Sequence, residues 1–495
     1  MNSYRQILKT TGIVGLTQVV VIVFGVMRAK AMALLLGPSG VGLFGLYTSI
    51  ADAFASLSSF GVDKSGVQQI AKAVGVNDNE KVARCLFVIR RVILCSSLLA
   101  AIFCLMFSKA ISLMVFGTGD QMWGVSLIAS VIFFTGISFG QRAVLNGFRD
   151  IPALSMCQVW GAIFGTMSTV LIIYFLGEDG VALSLVSVAL FSILTSWWYA
   201  RKITIIAVAP SRQEAIVELK QLLGIGFSFC LAGIMATMSA YVIKVYLRNC
   251  FGLETVGLYQ AGWTITNLYV GMVLSAMGTD FLPRISAHCH DHATLNRLMN
   301  EQMEIGVLIV SAGVVAGIIF SPVILPLLYS KDFSEGQTMM RWLFLGTGIR
   351  IIGWPLGCLL TAKGRGGVYV LIQAVFCALE VLFIIGCVKL FGFNGVGLHY
   401  YLAYVLYVGL GFYVGGRVTG LSLSHLLKKV LMTSGFFQGL AMLLVFFLSR
   451  FWATVWGSGL LLACVFWSLA LLKRDMRIDG LQILLSKIRR TTRDA

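Results

Sequence analysis

The sequence predicts an all-α polytopic membrane protein of about fourteen transmembrane helices, in two six-helix lobes related by internal duplication plus two extra C-terminal helices. Three observations lead there: the scarcity of charge, the length of the apolar stretches, and a motif recurring at two fixed intervals. Of 495 residues, 58% are hydrophobic and 12% charged, against roughly 25% charged in an average soluble domain. A soluble chain this long would have to coat two or three domains with polar surface, and the supply is missing. Mean hydropathy is +0.89, and uncharged runs such as Leu222 to Ile243 supply the length. These features exclude a soluble enzyme, a nucleic-acid binder and a disordered scaffold. A net charge of +17 would suggest nucleic acid in a soluble protein. Here it reads as the cation excess that holds loops in the cytoplasm.

A helix needs about 20 apolar residues to cross the hydrocarbon core. Fourteen stretches qualify: 12–36, 43–62, 86–107, 123–141, 153–176, 181–200, 222–247, 256–279, 304–328, 339–360, 368–390, 396–415, 430–449 and 456–472. The first is too long for a cleavable signal, lacks a small-residue cleavage site and contains a basic segment. With the N-terminus inside, 28 of the 38 cations fall on the inward side. Six fall outward (Lys109, Arg248, Lys331, Arg341, Lys389 and Arg450), and four lie within spans. That asymmetry puts both termini in the cytoplasm. The tail, 473–495, sets Leu481, Ile483, Leu484, Leu485 and Ile488 among basic residues. It is either a short amphipathic helix on anionic lipid or a plain basic tail that enforces topology.

The motif GPSGVGL begins at Gly37 and GLETVGL at Gly252, an offset of 215; GEDGVAL at Gly177 and GFNGVGL at Gly392 repeat that offset. Gln158 and Gln373 match at 215, as do Leu145 and Leu360. Its leading glycine is expected to end one helix in a left-handed cap, so a tight hairpin between spans explains the motif without a substrate role. Six helices per unit is an even number, so both copies enter the membrane in the same sense, as in parallel-repeat transporters. The expected domains are an N-lobe (1–220, helices 1–6), a C-lobe (221–429, helices 7–12), helices 13–14 (430–472) and the basic cytoplasmic tail (473–495). Helices 13–14 lie outside the duplication and are expected to pack on the C-lobe.

Lys30 followed by LGPSGVGL (36–43), LNGFRD (145–150), VGLYQ (256–260), FLPRIS (281–286) and LTAKGR (360–365) carry a further signal. In order and spacing this pattern resembles the multidrug/oligosaccharidyl-lipid/polysaccharide exporter superfamily, and within it the Wzx-type flippases for O-antigen and enterobacterial common antigen. The resemblance covers residues 1–420. It implies transport of an undecaprenyl-diphosphate-linked oligosaccharide from the cytoplasmic to the periplasmic leaflet of a bacterial inner membrane. The pathway's polymerase and chain-length proteins then become candidate partners, beside membrane lipids. Helices 13–14 depart from many such flippases, whereas lipid II flippases have such a pair. A lipid II flippase and a cation-coupled multidrug-type exporter therefore stand as alternatives. A glycan polymerase or ligase is disfavoured, because such enzymes commonly carry a large periplasmic loop and the longest outward segment here is about 15 residues.

Ionisable residues inside spans are costly and functional by default. Arg28 and Lys30 lie two apart on helix 1, about 200° round its circumference, so they do not share a face. They either meet the diphosphate and its head group or snorkel outward. Lys244 falls between them in the repeat register, and Arg350 lies mid-span in helix 10. These four are the candidate substrate-binding cations, Arg by its bidentate fork and Lys as a point charge. Asp52 and Glu380 are the ion-coupling candidates, with proton or sodium as the coupling ion; the alternative is a static ion pair with Arg28 or Arg350. Asp63 and Asp280 read as interfacial, and His399 as packed or interfacial. Most aromatic pairs, Trp197-Trp198 and Tyr400-Tyr401 among them, read as interfacial belt. The run His288-Cys289-His290-Asp291-His292 reads as a solvated loop rather than a metal site. No catalytic residue, cofactor or metal is expected, and no GxxxxGK[ST] phosphate loop occurs.

Overall fold

In the computed structural model, regular structure among the described residues is entirely helical. Those residues are 2–59, 66–67, 69–70, 73–74, 78–148, 150–203, 212–288 and 291–474. Asp63, Cys289, His290 and the tail beyond Arg474 lie outside them, as does the side chain of Asp280. The helices are α1 (Asn2–Ser59), α2 (Asn79–Met106), α3 (Ser108–Phe116), α4 (Met122–Gly147), α5 (Ile151–Leu176), α6 (Gly180–Ala200) and α7 (Arg212–Phe251). After them come α8 (Leu253–Ala287), α9 (His292–Leu328), α10 (Gln337–Ala362), α11 (Gly366–Phe391), α12 (Gly395–Thr419), α13 (His425–Phe447) and α14 (Arg450–Arg474).

Ten stretches among the described residues are long and apolar enough to cross a membrane, so the chain is a multi-pass membrane protein. Three of these, of 43, 50 and 54 residues, far exceed the roughly 20 that one crossing needs. Each is interrupted by a motif glycine: Gly37 (φ 65°, ψ −166°), Gly177 (59°, −137°) and Gly392 (57°, −139°). The fourth, Gly252, has φ 87°. The expectation of a left-handed cap is thus corrected at the first three. Positive φ with ψ near 180° is a region open essentially to glycine alone, whereas a left-handed cap also admits Asn. The polar residues at the opposite helix ends act as caps. Asp78 accepts from Lys81 N (2.9 Å), Asp150 from Ala153 N (3.1 Å) and Ser424 Oγ from Leu427 N (2.8 Å). Asp291 accepts from Ala293 N and Thr294 N (both 3.1 Å); a hydrogen bond from the Thr294 side chain, with these two, holds its carboxyl below the usual range.

The chain divides into two compact units, residues 1–260 with 328–333, and residues 261–327 with 334–495. In the first, α1 packs against α2, α4, α5 and α7, and α6 fills the groove between α4 and α5. Helices in lipid gain nothing from hydrophobic contact with one another, so close approach and buried hydroxyls hold them together. Ser138 and Ser192 join α4 to α6 (2.9 Å), Ser168 and Ser187 join α5 to α6 (2.9 Å), and Thr166 Oγ1 donates to Phe24 O of α1 (3.1 Å). Two of the segments that carry the glycine motif approach each other backbone to backbone. A Cβ on Gly257 would stand 1.9 Å from Pro38 O, and one on Gly42 would stand 2.2 Å from Leu253 O.

In the second unit α12 packs against α10 and α11, and α13 pairs with α14. The Ser311 and Ser434 hydroxyls bond across α9 and α13. Ser424 Oγ donates to Glu304 Oε1 (2.6 Å), and Arg450 donates to Pro322 O (2.9 Å) at the start of α14. The last pair is therefore docked on α9, in the company expected for it. Deleting residues 430–472 would strip α9 of Ser434 and Arg450 while leaving Ser424 in place. We expect the truncated protein to reach the membrane at reduced level, with lowered activity, as measured by immunoblot and transport assay. Complete loss from the membrane would mark the pair as indispensable to folding.

Candidate functional site

Four of the candidate residues lie in the first unit and two in the second. In the first, Gly37 folds the second half of α1 back, and α7 lies alongside it. Lys244, only 7% exposed, donates from Nζ to Ser49 Oγ (2.7 Å) and to Gly45 O (3.2 Å). Its ammonium thus binds α7 to α1. Asp52, one turn beyond Ser49, lies within electrostatic reach of Lys244 and is itself exposed. Arg28 is half-buried, with its guanidinium 6.0 Å from the centre of the Phe44 ring and near Tyr329. Lys30 is half-buried as well. The structure therefore brings Lys244 and Asp52 together, and sets Arg28 on the first half of α1 facing an aromatic residue of the second half.

The second cluster is built on α10 and α12, with α8 and α11 contributing. Arg350 donates from Nη1 to Asn267 Oδ1 and to the Tyr400 hydroxyl (3.3 Å). Glu380, 7% exposed, lies within electrostatic reach. The hydrogen bonds to neutral groups leave the charge of Arg350 in place, and they fix the guanidinium plane through one nitrogen. Tyr400, Tyr404 and Tyr407 follow one another along a single face of α12. Their rings stand 4.8 Å and 5.9 Å apart, with Trp263 5.2 Å from Tyr400 and Phe376 4.8 Å from Tyr404. Such an arrangement can hold an anion beside the guanidinium and, through the half-buried Tyr404 and Tyr407, present aromatic surface to a ring.

Several participants escaped the sequence reading. Tyr400, read there with the interfacial belt, is 1% exposed and bonds Arg350. The i, i+4, i+7 spacing of the three tyrosines was the available signal. Asn267 and Ser49 carry no such signal, being ordinary helix residues whose role comes from the neighbour they meet. Arg142, counted with the inward loops, lies within α4 over Phe139 at 4.8 Å. Its Nε is buried without a hydrogen-bond partner. His399 is fully buried, its Nδ1 bonded to Val396 O.

Lys244 and Asp52 permit a direct test. Ser49 Oγ also bonds Gly45 O (2.8 Å), so Lys244→Met leaves that hydroxyl satisfied and should insert normally. We expect Lys244→Met and Asp52→Asn each to lower activity, and the double variant to lose less than the two single losses combined, because neighbouring charges couple. Strictly additive losses would show that the two residues act apart.

The chain matches the polysaccharide biosynthesis protein family over residues 31–337, well over half its length. Among curated relatives, it is 21% identical over 396 residues to the lipid III flippase of Escherichia coli K12, covering 78% of this chain and 92% of the relative. Among solved structures, it is similar to an inward-facing multidrug resistance MATE transporter of the MOP superfamily. That match has a TM-score of 0.69 and 17% identity, and covers 82% of this chain and 95% of the other. It is similar also to the lipid II flippase MurJ in an inward closed conformation, with a TM-score of 0.70 and 14% identity over 95% of this chain and all of the other. The 5% left over is about 25 residues, fewer than α13 and α14 contain, so the shared fold extends into the final pair. The chain shares its fold with these two structures, and by sequence it belongs to the polysaccharide biosynthesis protein family.

Proposed function

We propose that the protein is a flippase. It carries an undecaprenyl-diphosphate-linked oligosaccharide, an O-antigen-like repeat unit, from the cytoplasmic to the periplasmic leaflet of a bacterial inner membrane. The observation that carries this reading is the Arg350 cluster, a cation inside an apolar helix fixed by neutral partners and flanked by an aromatic ladder. It is supported by the similarity to a lipid III flippase across nearly that protein's whole length. A diphosphate carries about two negative charges, and its attraction to a cation is several-fold stronger at low effective dielectric than in water. Arg350 makes its hydrogen bonds through Nη1, which leaves its other N–H groups to meet phosphate oxygens as a fork. Arg28, Lys30 and Lys244 are the matching cations of the first unit. The half-buried Tyr404 and Tyr407 of α12 can stack on sugar rings.

Transport then proceeds by alternating access between an N-lobe (1–220) and a C-lobe (221–429), with fourteen spans and both termini cytoplasmic. Lys244 exchanges its bonds to Ser49 and Gly45 for the diphosphate. Asp52 takes up a proton or sodium ion as the cation leaves it, which ties the cycle to an ion gradient. Reporter fusions at Asn146, Arg297 and Gly364 should report cytoplasm, and fusions at Glu178 and Lys331 periplasm; one reversed fusion in mid-chain breaks the even-helix arrangement. The test of function is depletion. Lipid-linked oligosaccharide should accumulate on the cytoplasmic leaflet, and its composition names the cargo. Unchanged glycan lipids with raised sensitivity to cationic drugs would select a multidrug-type exporter instead. One observation favours a second cargo, lipid II: the MurJ likeness extends into α13–α14. Rescue of a strain lacking its own lipid II flippase decides that point.

A further inference from the structure

Sharing no residue with either cluster, a cavity of about 350 Å³ opens between α2, α4 and α6 in the first unit, lined by Arg90, Leu94, Gly140, Gln141, Trp197 and Arg201, with Ile93, Ile137 and Ala200 behind. We propose that it binds the phosphate ester of an anionic glycerophospholipid in the membrane around the protein.

The lining holds two guanidinium groups and one amide but no carboxylate. Gln141 Oε1 already accepts from Ser196 Oγ, so its contribution to a ligand is the Nε2 amide, a donor. Arg201 stacks over both indoles, its Cζ 3.7 Å from the centre of the Trp198 ring and 4.7 Å from that of Trp197. Stacking holds a guanidinium plane by its face and leaves its N–H edges free to donate. Every polar group the cavity offers is therefore a donor, and two carry full positive charge. Gly140 makes room, since a Cβ there would approach Ile93 Cδ1 to 3.0 Å.

The surroundings identify the source of the ligand. Leu94 is 46% exposed, and Trp197 and Trp198 are each 50% exposed. On a helix of a membrane protein such apolar exposure faces lipid, and Trp collects at headgroup depth. A cationic cavity between transmembrane helices at that depth meets phospholipid headgroups before any soluble anion. Its volume falls in the range of small-molecule sites, about 300–1,000 Å³, and suits a phosphodiester with its glycerol.

The experiment uses the full chain purified in neutral detergent, with phosphatidylglycerol or phosphatidylcholine added at equal mole fraction. Native mass spectrometry reads retained lipid, and thermal melting reads stabilisation. Wild type should retain phosphatidylglycerol preferentially and melt higher with it. Arg90→Gln and Arg201→Gln should each weaken that preference about fivefold, and together about 25-fold, the effect of about one cation each at an anionic surface, with melting in phosphatidylcholine unchanged. Arg90→Gln alone, at an exposed position, keeps the test open if the Arg201 variant misfolds. Arg201→Lys should recover part of the preference. Arg91→Gln, beside the cavity but stacked on Phe87 at 4.5 Å, should have no effect. Equal loss with Arg91→Gln would reduce the site to a diffuse basic belt and overturn the proposal. Equal stabilisation by soluble glycerol phosphate would overturn it too, as would preferential retention of undecaprenyl diphosphate, which would assign the cavity to the cargo.

Discussion

Gly257→Ala should lower the melting temperature by several degrees and sharply reduce transport, because no room for a methyl group exists at its crossing. The Cβ would sit 1.9 Å from Pro38 O and 2.8 Å from its carbonyl carbon. Those are backbone atoms, which cannot rotate aside as a side-chain tip can. Overpacking of this kind costs about 1–3 kcal/mol, and the crossing has to spread to accept it. Gly42→Ala meets Leu253 O at 2.2 Å from the other side and should behave alike. Combined, the two should cost less than their sum, since a crossing spread once for one methyl admits the second more cheaply. Gly439→Ala, helical and with open space around its Cβ, is the control. It should be neutral or raise stability by about 0.5–1 kcal/mol through lost chain entropy. Gly37→Ala separates sterics from backbone: nothing lies within 4 Å of its Cβ, but φ is 65°, so its cost is conformational alone, about 1–3 kcal/mol. If Gly257→Ala melts and transports as wild type does, the crossing is looser than its geometry states.

How far the sequence reached can be judged at particular residues. Hydropathy located the helices, because bilayer thickness sets a length that single-residue propensity cannot blur. The motif glycines marked the helix junctions correctly, yet their ψ values were out of reach: glycine announces tolerance of positive φ, not which such region is used. That Gly42 and Gly257 would lie against one another's backbone segments was also out of reach, since contact between residues 215 apart leaves no local trace. For Lys244 the repeat register gives an expected depth beside Arg28 and Lys30, while the rotation of α7 that delivers it to Ser49 depends on packing. Arg350 was expected to line a cleft or to pair with an acid. Its hydrogen bonds go to an amide and a phenol, with Glu380 within electrostatic reach. Tyr400 was misread because a hydropathy window sees proximity to a span end and cannot tell a lipid-facing side chain from a buried one.

Loss of an intramembrane cation should sharply reduce transport while leaving insertion intact, and the cations should differ in the manner of the loss. A hydrogen bond to a charged group contributes about 1.5–3 kcal/mol, so Arg28→Ala and Arg350→Ala are each expected to reduce translocation by roughly ten- to a hundredfold. Arg28 faces the ring of Phe44 at 6.0 Å, and a ring face accepts an ammonium as well as a guanidinium. Arg28→Lys should therefore keep part of the activity, losing the fork but not the charge. Arg350→Lys should keep much less, because an ammonium on a flexible stem cannot reproduce a plane pinned between Asn267 and Tyr400. Tyr400→Phe should fall between, since it removes one of the two groups that orient the fork and leaves the ladder intact. Lys30→Ala belongs with Arg28→Ala if both cations meet the cargo, and with the outward loop control Lys109→Ala if Lys30 snorkels. The readout is oligosaccharide reaching the periplasmic leaflet, normalised to protein in the membrane. Normal transport by both Arg28→Ala and Arg350→Ala would mean that the diphosphate crosses without intramembrane cations, and the anion-binding reading of both clusters would fall together.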